Sequence, residues 1–376
     1  MNGSDTAVVC AVVLSRAAAA IAVAVDGRSV RAAPSRVSTF SSTTFERAMR
    51  AKDTSWFHKK LRCERQSFLL VYQAVYAAWG DKPGANAKRS VLKRVALTML
   101  YLAQGGTMVQ AATVMGMSRS RAVVYINESL DVLGTMARHL VVFPNAGELS
   151  AIEDGFFSIS GVPGVVGAID VTLVEIPRPK DYEDWYCRKN FPAMNVQAVV
   201  DHLGAVRSIS IRAGSTNDQS LWNGSGIRRR ILDCVPPGKH LLGDAGYKIW
   251  AHLLTPFPGS EAVADARKRG FNKAHSRARI VAECAFGRLK NRFRVLLGKL
   301  EQKSPARICK VILGCIVLHN LLLQVNDRRV IHGNDPTPEA NLSVFADDVA
   351  DVENPISHSQ EKAKRDDLAD AFADLF

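Results

Sequence analysis

The chain has 376 residues, 47% of them hydrophobic, and 49 Lys and Arg against 36 Asp and Glu give a formal net charge of +13. That length and apolar content exclude a disordered chain and leave room for two or three domains. The seven cysteines are odd in number and form no C-x-x-C pair, which argues against a disulfide framework or a zinc site and for a reducing compartment.

In chain order, residues 6–25, TAVVCAVVLSRAAAAIAVAV, are the one stretch that could target or span a membrane. No Lys or Arg precedes it, Asp5 does, and Arg16 interrupts it, so an Ala-rich helix or an unstructured extension is expected, without membrane association. Residues 26–45 are rich in Ser, Thr and Ala and read as a linker. From Phe45 to about Met136 the pattern is helical. SVLKRVALTMLYLAQGG places Val91, Leu92, Val95, Met99, Leu100 and Leu102 at helical spacing before Gly105 and Gly106 end the element.

Residues 107–130, TMVQAATVMGMSRSRAVVYINESL, predict two helices. Thr107 and Gln110 form a capping box, Gly116 ends the first helix, and Ser118 caps the second. A three-residue turn containing Gly matches the helix-turn-helix that reads DNA, and a plain helical hairpin shares the spacing. Arg119, Ser120, Arg121 and Tyr125 then lie near the start of the recognition helix, with Ala122, Val123 and Ile126 facing inward. Charge favours the DNA reading. Residues 334–376 hold eleven acidic and three basic side chains, which leaves residues 1–333 at +21, a balance suited to a polyanion.

After Pro144 strands enter. GVVGAID (164–170), NVQAVV (195–200) and VRSISIRAG (206–214) predict an antiparallel meander, followed by a helix across DQSLWNGSGIRRRIL, a strand in KHLLGD and a short strand at Leu253 and Leu254. Helices are predicted over 275–297 and VILGCIVLHNLLL, and DPTPEANLS opens an acidic tail whose last stretch aligns Leu368, Phe372 and Leu375 as a docked terminal helix would. A helical half followed by strands and helices is an α+β pattern.

Asp170 and Asp244 each close an apolar, strand-like run. On neighbouring strands their backbones would lie ~4.8 Å apart, close enough to share a divalent ion. Phosphoryl transfer on nucleic acid typically uses two hard metal ions roughly 3.5–4 Å apart on oxygen ligands. A third carboxylate is available in SRARIVAECAFGRLKNRFRVLL, where Arg279, Glu283, Gly287, Lys290 and Arg294 make one stripe and Glu283 is its only acid; Lys290 and Arg294 could hold phosphates. Glu283 could instead pair with Arg279 or Lys290 on a solvated face. Asp218 competes for the second position, but reads more naturally as the cap of the following helix. His319 and Asn320 sit among leucines and read as structural.

Six segments in order, GVVGAIDVTLVEI, YCRKNFPAMNVQAVVDHLG, GSTNDQSLW, LLGDAGYKIW, VAECAFGRLKNRF and CIVLHN, resemble the Harbinger-type DDE transposases and the nucleases domesticated from them, over about Trp56 to Leu323. The resemblance implies an RNase H-like mixed sheet flanked by helices, preceded by an all-α helix-turn-helix region, and metal-dependent cleavage and joining of DNA. Its triad falls on Asp170, Asp244 and Glu283, as catalytic residues and ligands of Mg²⁺ or Mn²⁺, with spacings of 74 and 39. It implies double-stranded DNA, a Myb-like accessory DNA-binding protein and a homo-oligomer as partners, and the nucleus as location. The expected organisation is an extension over 1–44, a DNA-binding region over 45–145, the nuclease domain over 146–328 and an acidic tail over 329–376. The sequence departs from the family where Val171, Thr172 and Leu173 replace the usual Gly-Thr-His and where Asn217 replaces His. A catalytically inactive, domesticated DNA-binding protein is the alternative.

Overall fold

The computed structural model describes residues 41–84, 90–179, 183–327 and 357–373. The apolar stretch 6–25, linker residues 26–40, DPTPEANLS and Leu375 lie outside the described residues, and the last two linker positions, Thr44 and Phe45, are already helical. Among the described residues six helices come first: α1 (Thr44–Arg50), α2 (Ser55–Lys60), α3 (Arg65–Ala78), α4 (Val91–Gln104), α5 (Met108–Val114) and α6 (Arg119–Leu140). The expected boundaries hold where side chains cap them. Ser90 accepts from the amide of Lys93, Gly105 ends α4 in the left-handed region, and Thr107 and Gln110 complete the capping box of α5. Gly116, at φ +62°, turns the chain between α5 and α6 where a Cβ would lie 2.4 Å from Ser42 Cα. Ser118 occupies the N-cap position of α6, yet its side chain makes no capping bond.

Next come α7 (Ala146–Ser160), opened by an Asn145–Glu148 capping box, and β1 (Val165–Glu175), β2 (Ala193–Val200) and β3 (Val206–Ala213), the expected antiparallel meander. The single helix expected across 218–232 is three short ones, α8 (Asp218–Asn223), α9 (Gly226–Arg229) and α10 (Ile231–Cys234). Gly224 closes the first, and Ser225 caps the second by accepting from the amide of Arg228. β4 (His240–Leu242) and β5 (Leu253–Leu254) join parallel to β1, giving the order β3-β2-β1-β4-β5. After α11 (Gly259–Ala264), the long helix α12 runs Ala266–Arg292, not 275–297. Asp265 starts it earlier by capping Arg267, and buried Phe293 ends it before a short 3₁₀ turn at Arg294–Leu296. α13 (Pro305–Gln324) and α14 (Ser357–Ala373) complete the chain.

Alternation along the strands supplies both faces of the sheet. Val165, Ala168, Val196 and Leu242 join α12, α13 and the amino-terminal helices in one large core, whereas Val166, Ile169, Val199 and Leu241 face Trp222, Ile227 and Ile231 of the short helices. The large core is continuous from Phe45 to Leu322. α6 is one of its pillars: its second half packs on α13, with Leu130 against Gly314. α13 is long and apolar enough to cross a membrane, and most of its apolar stretch is buried inside the protein, as in a core helix. His319 donates to the Gly204 carbonyl, and Asn320 bonds both the amide and the carbonyl of Val206, so the pair fastens α13 to the β2–β3 turn.

Candidate active site

β1 is buried from Val165 to Ile169 and emerges toward solvent at Asp170. Ala168 pairs with Leu242 of β4. β4 ends there, and two residues further on Asp244 lines the same cleft as Asp170. The Asp244 carboxylate accepts from the amide of Gly246 at 3.0 Å. A Cβ on Gly246 would lie 3.2 Å from Asp244 Oδ1 and 3.3 Å from Asp218 Oδ2, so two carboxylates converge over a residue without a side chain. Asp218 does not cap α8: Asn217 does, accepting from the amide of Ser220 at 2.7 Å, which frees the Asp218 carboxylate to line the cleft.

Asp170, Asp218 and Asp244 share a cleft of about 240 Å³ with Arg188, Asn195 and Thr216. Asn195 donates to the Thr216 carbonyl at 2.8 Å and ties the 214–217 loop to β2. Beneath the carboxylates the buried Tyr247 hydroxyl accepts from Gln197 at 3.0 Å. Burial, and then Asp218, Asp244 and Asp170, hold that phenol well above its ordinary range, so it stays protonated. Glu283 faces the group from α12 but reaches it through Arg279. The guanidinium contacts Glu283 Oε1 at 2.5 Å and Asp170 Oδ1 at 3.8 Å.

The electrostatics follow from this crowding. Burial pushes the Asp170 carboxyl up to about 7; Arg279 opposes the shift, and Asp244 and Glu283 add to it. Asp218 is raised by burial and by Asp244, against Arg188. In kind the donors suit a hard divalent cation, since all are carboxylate oxygens. In position they are not yet gathered. Among the described residues no three acidic, His or Cys side chains stand close enough to grip one ion, and Arg279 is the counter-charge between Asp170 and Glu283.

The other expected contacts divide. Arg119, Ser120 and Arg121 are exposed on the first turn of α6. Tyr125 is turned inward beneath the Arg94 guanidinium, 4.2 Å from the ring centroid. Lys290 Nζ donates to the Leu173 carbonyl at 2.8 Å, on the flank of the cleft. Arg294 leaves the stripe because α12 ends at Arg292; it is exposed, and its backbone packs on Gly105 of the helical region. Sequence reasoning missed Arg188 and Tyr247. Arg188 had no periodic signal, and Tyr247, three residues after Asp244, was visible as a buried hydroxyl needing a partner.

Residues 169–320 match the family of DDE superfamily endonucleases. The chain is 32% identical over 210 residues to "Putative nuclease HARBI1" of Mus musculus, covering 55% of this chain and 59% of that protein. It is 31% identical over 212 residues to the protein of that name in Homo sapiens, again 59% of its length. To "Protein ALP1-like" of Arabidopsis thaliana it is 27% identical over 303 residues, covering 73% of this chain and 72% of that protein. The chain thus spans less than two thirds of the length of the nuclease-named relatives. No solved structure matches it. Segment 169–320 contains the meeting point of Asp170, Asp218 and Asp244 as well as the helix bearing Glu283, and over it the chain is similar to the DDE superfamily endonucleases and to these relatives.

Proposed function

We propose that the chain is a metal-dependent DNA endonuclease and strand-transferase of transposase type, or a nuclease domesticated from one, working on double-stranded DNA in the nucleus. The observation that carries this reading is the convergence of Asp170 and Asp244 on one cleft, with Glu283 linked to Asp170 from α12 through Arg279. The strand order, a three-stranded meander with two further strands parallel to the first, supports an RNase H-like domain for 146–328. The short turn between α5 and α6 and the exposed Arg119 and Arg121 support DNA contact by the region 45–145.

Asp170, Asp244 and Glu283 would hold Mg²⁺ or Mn²⁺, with Asp218 at the edge of the same cleft. Metal held by these residues would supply activation of the attacking oxygen and stabilisation of the leaving one. The protein's own groups prepare the site. Asp170 gives up a proton near neutrality, Arg279 stands between it and Glu283 as their counter-charge, and Arg188 lines the cleft as a cation for the phosphodiester. Tyr247 and Gln197 form a dry floor that keeps its proton. A Myb-like accessory protein and a second copy of the chain belong to the same reading.

Arg279 favours a second reading, since a guanidinium already neutralises two of the three carboxylates, as a protein that binds DNA without cutting it would need. A nuclease assay on plain duplex with Mg²⁺ or Mn²⁺, supplemented with nuclear extract, separates the two. Cleavage lost in Asp170→Asn supports the nuclease; tight binding without any cleavage supports the binder.

A further inference from the structure

A second groove, of about 340 Å³, opens beside the acidic cleft and shares Val171, Leu173 and Arg188 with it as walls. Among the described residues its cations are Arg188 and Lys189 from the β1–β2 connection and Lys290 from α12, and Glu175 is the one acid lining it. The two connection residues are held in place by a tight turn. Cys187 N–H donates to the Phe191 carbonyl at 3.0 Å, Asn190 N–H donates to the Cys187 carbonyl at 2.9 Å, and Asn190 takes φ +61°. That turn leaves Arg188 and Lys189 exposed. Lys290 is fixed from the other side by its bond to the Leu173 carbonyl, which uses one of its three donors and leaves two for the groove. Among the described residues none of the three cations forms an ion pair.

We infer that this groove seats the DNA strand flanking the cleaved bond, with Arg188, Lys189 and Lys290 on its phosphates. The inference rests on the nuclease reading and extends it. Along β1 the Leu173 carbonyl lies three residues past Asp170, ~10 Å at about 3.3 Å per residue. At about 3.4 Å of rise per nucleotide, that is roughly three nucleotides from the reacting phosphate. Arg188, common to both hollows, carries the track from one to the other. The crowding of like charge has the same sense: burial and then Lys189 press the Lys290 ammonium down to about 8, a cost that a phosphate would relieve.

The test uses Lys189→Gln, Lys290→Gln and the double variant of the full chain, with circular dichroism to confirm folding. A fluorescent 30-base-pair duplex is titrated in chelator across a salt series. Each substitution should lower the slope of log affinity against log salt by about 0.9, and the pair by about twice that. Lys→Arg at either position should restore it. Lys310→Gln, which opens an exposed ion pair with Asp131 outside the groove, should leave the slope unchanged. A double variant with the parental slope and affinity overturns the proposal. Cleavage with Mn²⁺, measured in parallel, keeps the two readings apart. If the parent cuts nothing yet the slopes fall, the groove stands as a DNA seat and the nuclease reading fails; if the parent cuts and the slopes do not move, the groove fails alone.

Discussion

Asp170 is a half-buried acid whose charge the fold opposes, and that opposition sets a pH dependence. Its carboxyl titrates at about 7 in the folded chain and near 4 in an unfolded one. Between those values the folded state holds a proton that the unfolded state has lost. Stability from this group is therefore fully present below about pH 4 and is lost as pH rises through 7. Asp170→Asn should then raise the unfolding free energy in chelator at pH 8, by at most about 4 kcal/mol, and change it little at pH 4. Denaturant titrations at both pH values check this; equal effects at both would mean that Asp170 is not carrying the burden of charge. Both aspartates were legible in the sequence because each closes an apolar run, the mark of a strand leaving the core. Asp218 was misread, because Asn and Asp cap helices about equally well and the sequence does not say which of two adjacent residues turns toward the helix. The bridge from Arg279 to Asp170 was not legible either, since it joins α12 to β1 across more than a hundred residues.

At the scale of elements, α6 shows how one helix serves two faces. Ala122, Ile126, Leu130 and Leu133 are buried, whereas Arg119, Ser120 and Arg121 point outward at its start. The Arg119→Ala, Arg121→Ala double variant should weaken duplex binding, by roughly 1–3 kcal/mol for each base-reading arginine, or reduce the salt slope if the contacts are to phosphate. Tyr125→Ala should instead lower stability by about 1–2 kcal/mol through the lost stack with Arg94, and leave the salt slope alone. Titration of DNA and of denaturant on both variants distinguishes these outcomes, and an unchanged double variant would leave α6 a packing element. Helix starts were readable wherever Ser, Thr, Asn or Asp caps them. Ends set by packing were not: α12 stops because Phe293 is drawn into the core, which moves Arg294 away from the stripe its spacing suggested.

For the whole molecule, the helical region and the sheet share one core, so the amino-terminal helices support the sheet that positions the acids. Leu130→Ala, at the contact of α6 with α13, should cost about 2–5 kcal/mol and shift the loss of helix signal and of the buried tryptophan environment together. Two separate transitions would show the halves to be independent. Charge is divided as well. α14 docks on α12 through an Arg267–Asp370 ion pair, and its buried Arg365 donates to the Pro256 carbonyl beside Phe257. This places part of the acidic tail against the basic body. The central claim, that Asp170, Asp244 and Glu283 act with metal on DNA held by that body, separates cutting from binding. Without metal the carboxylates repel phosphate. The direct measurement follows the parent and Asp244→Ala side by side, with duplex cleavage in Mn²⁺ and duplex affinity in chelator. Cleavage should disappear in the variant while affinity stays equal or rises; cleavage that survives in Asp244→Ala, or that falls only in step with affinity, would contradict it.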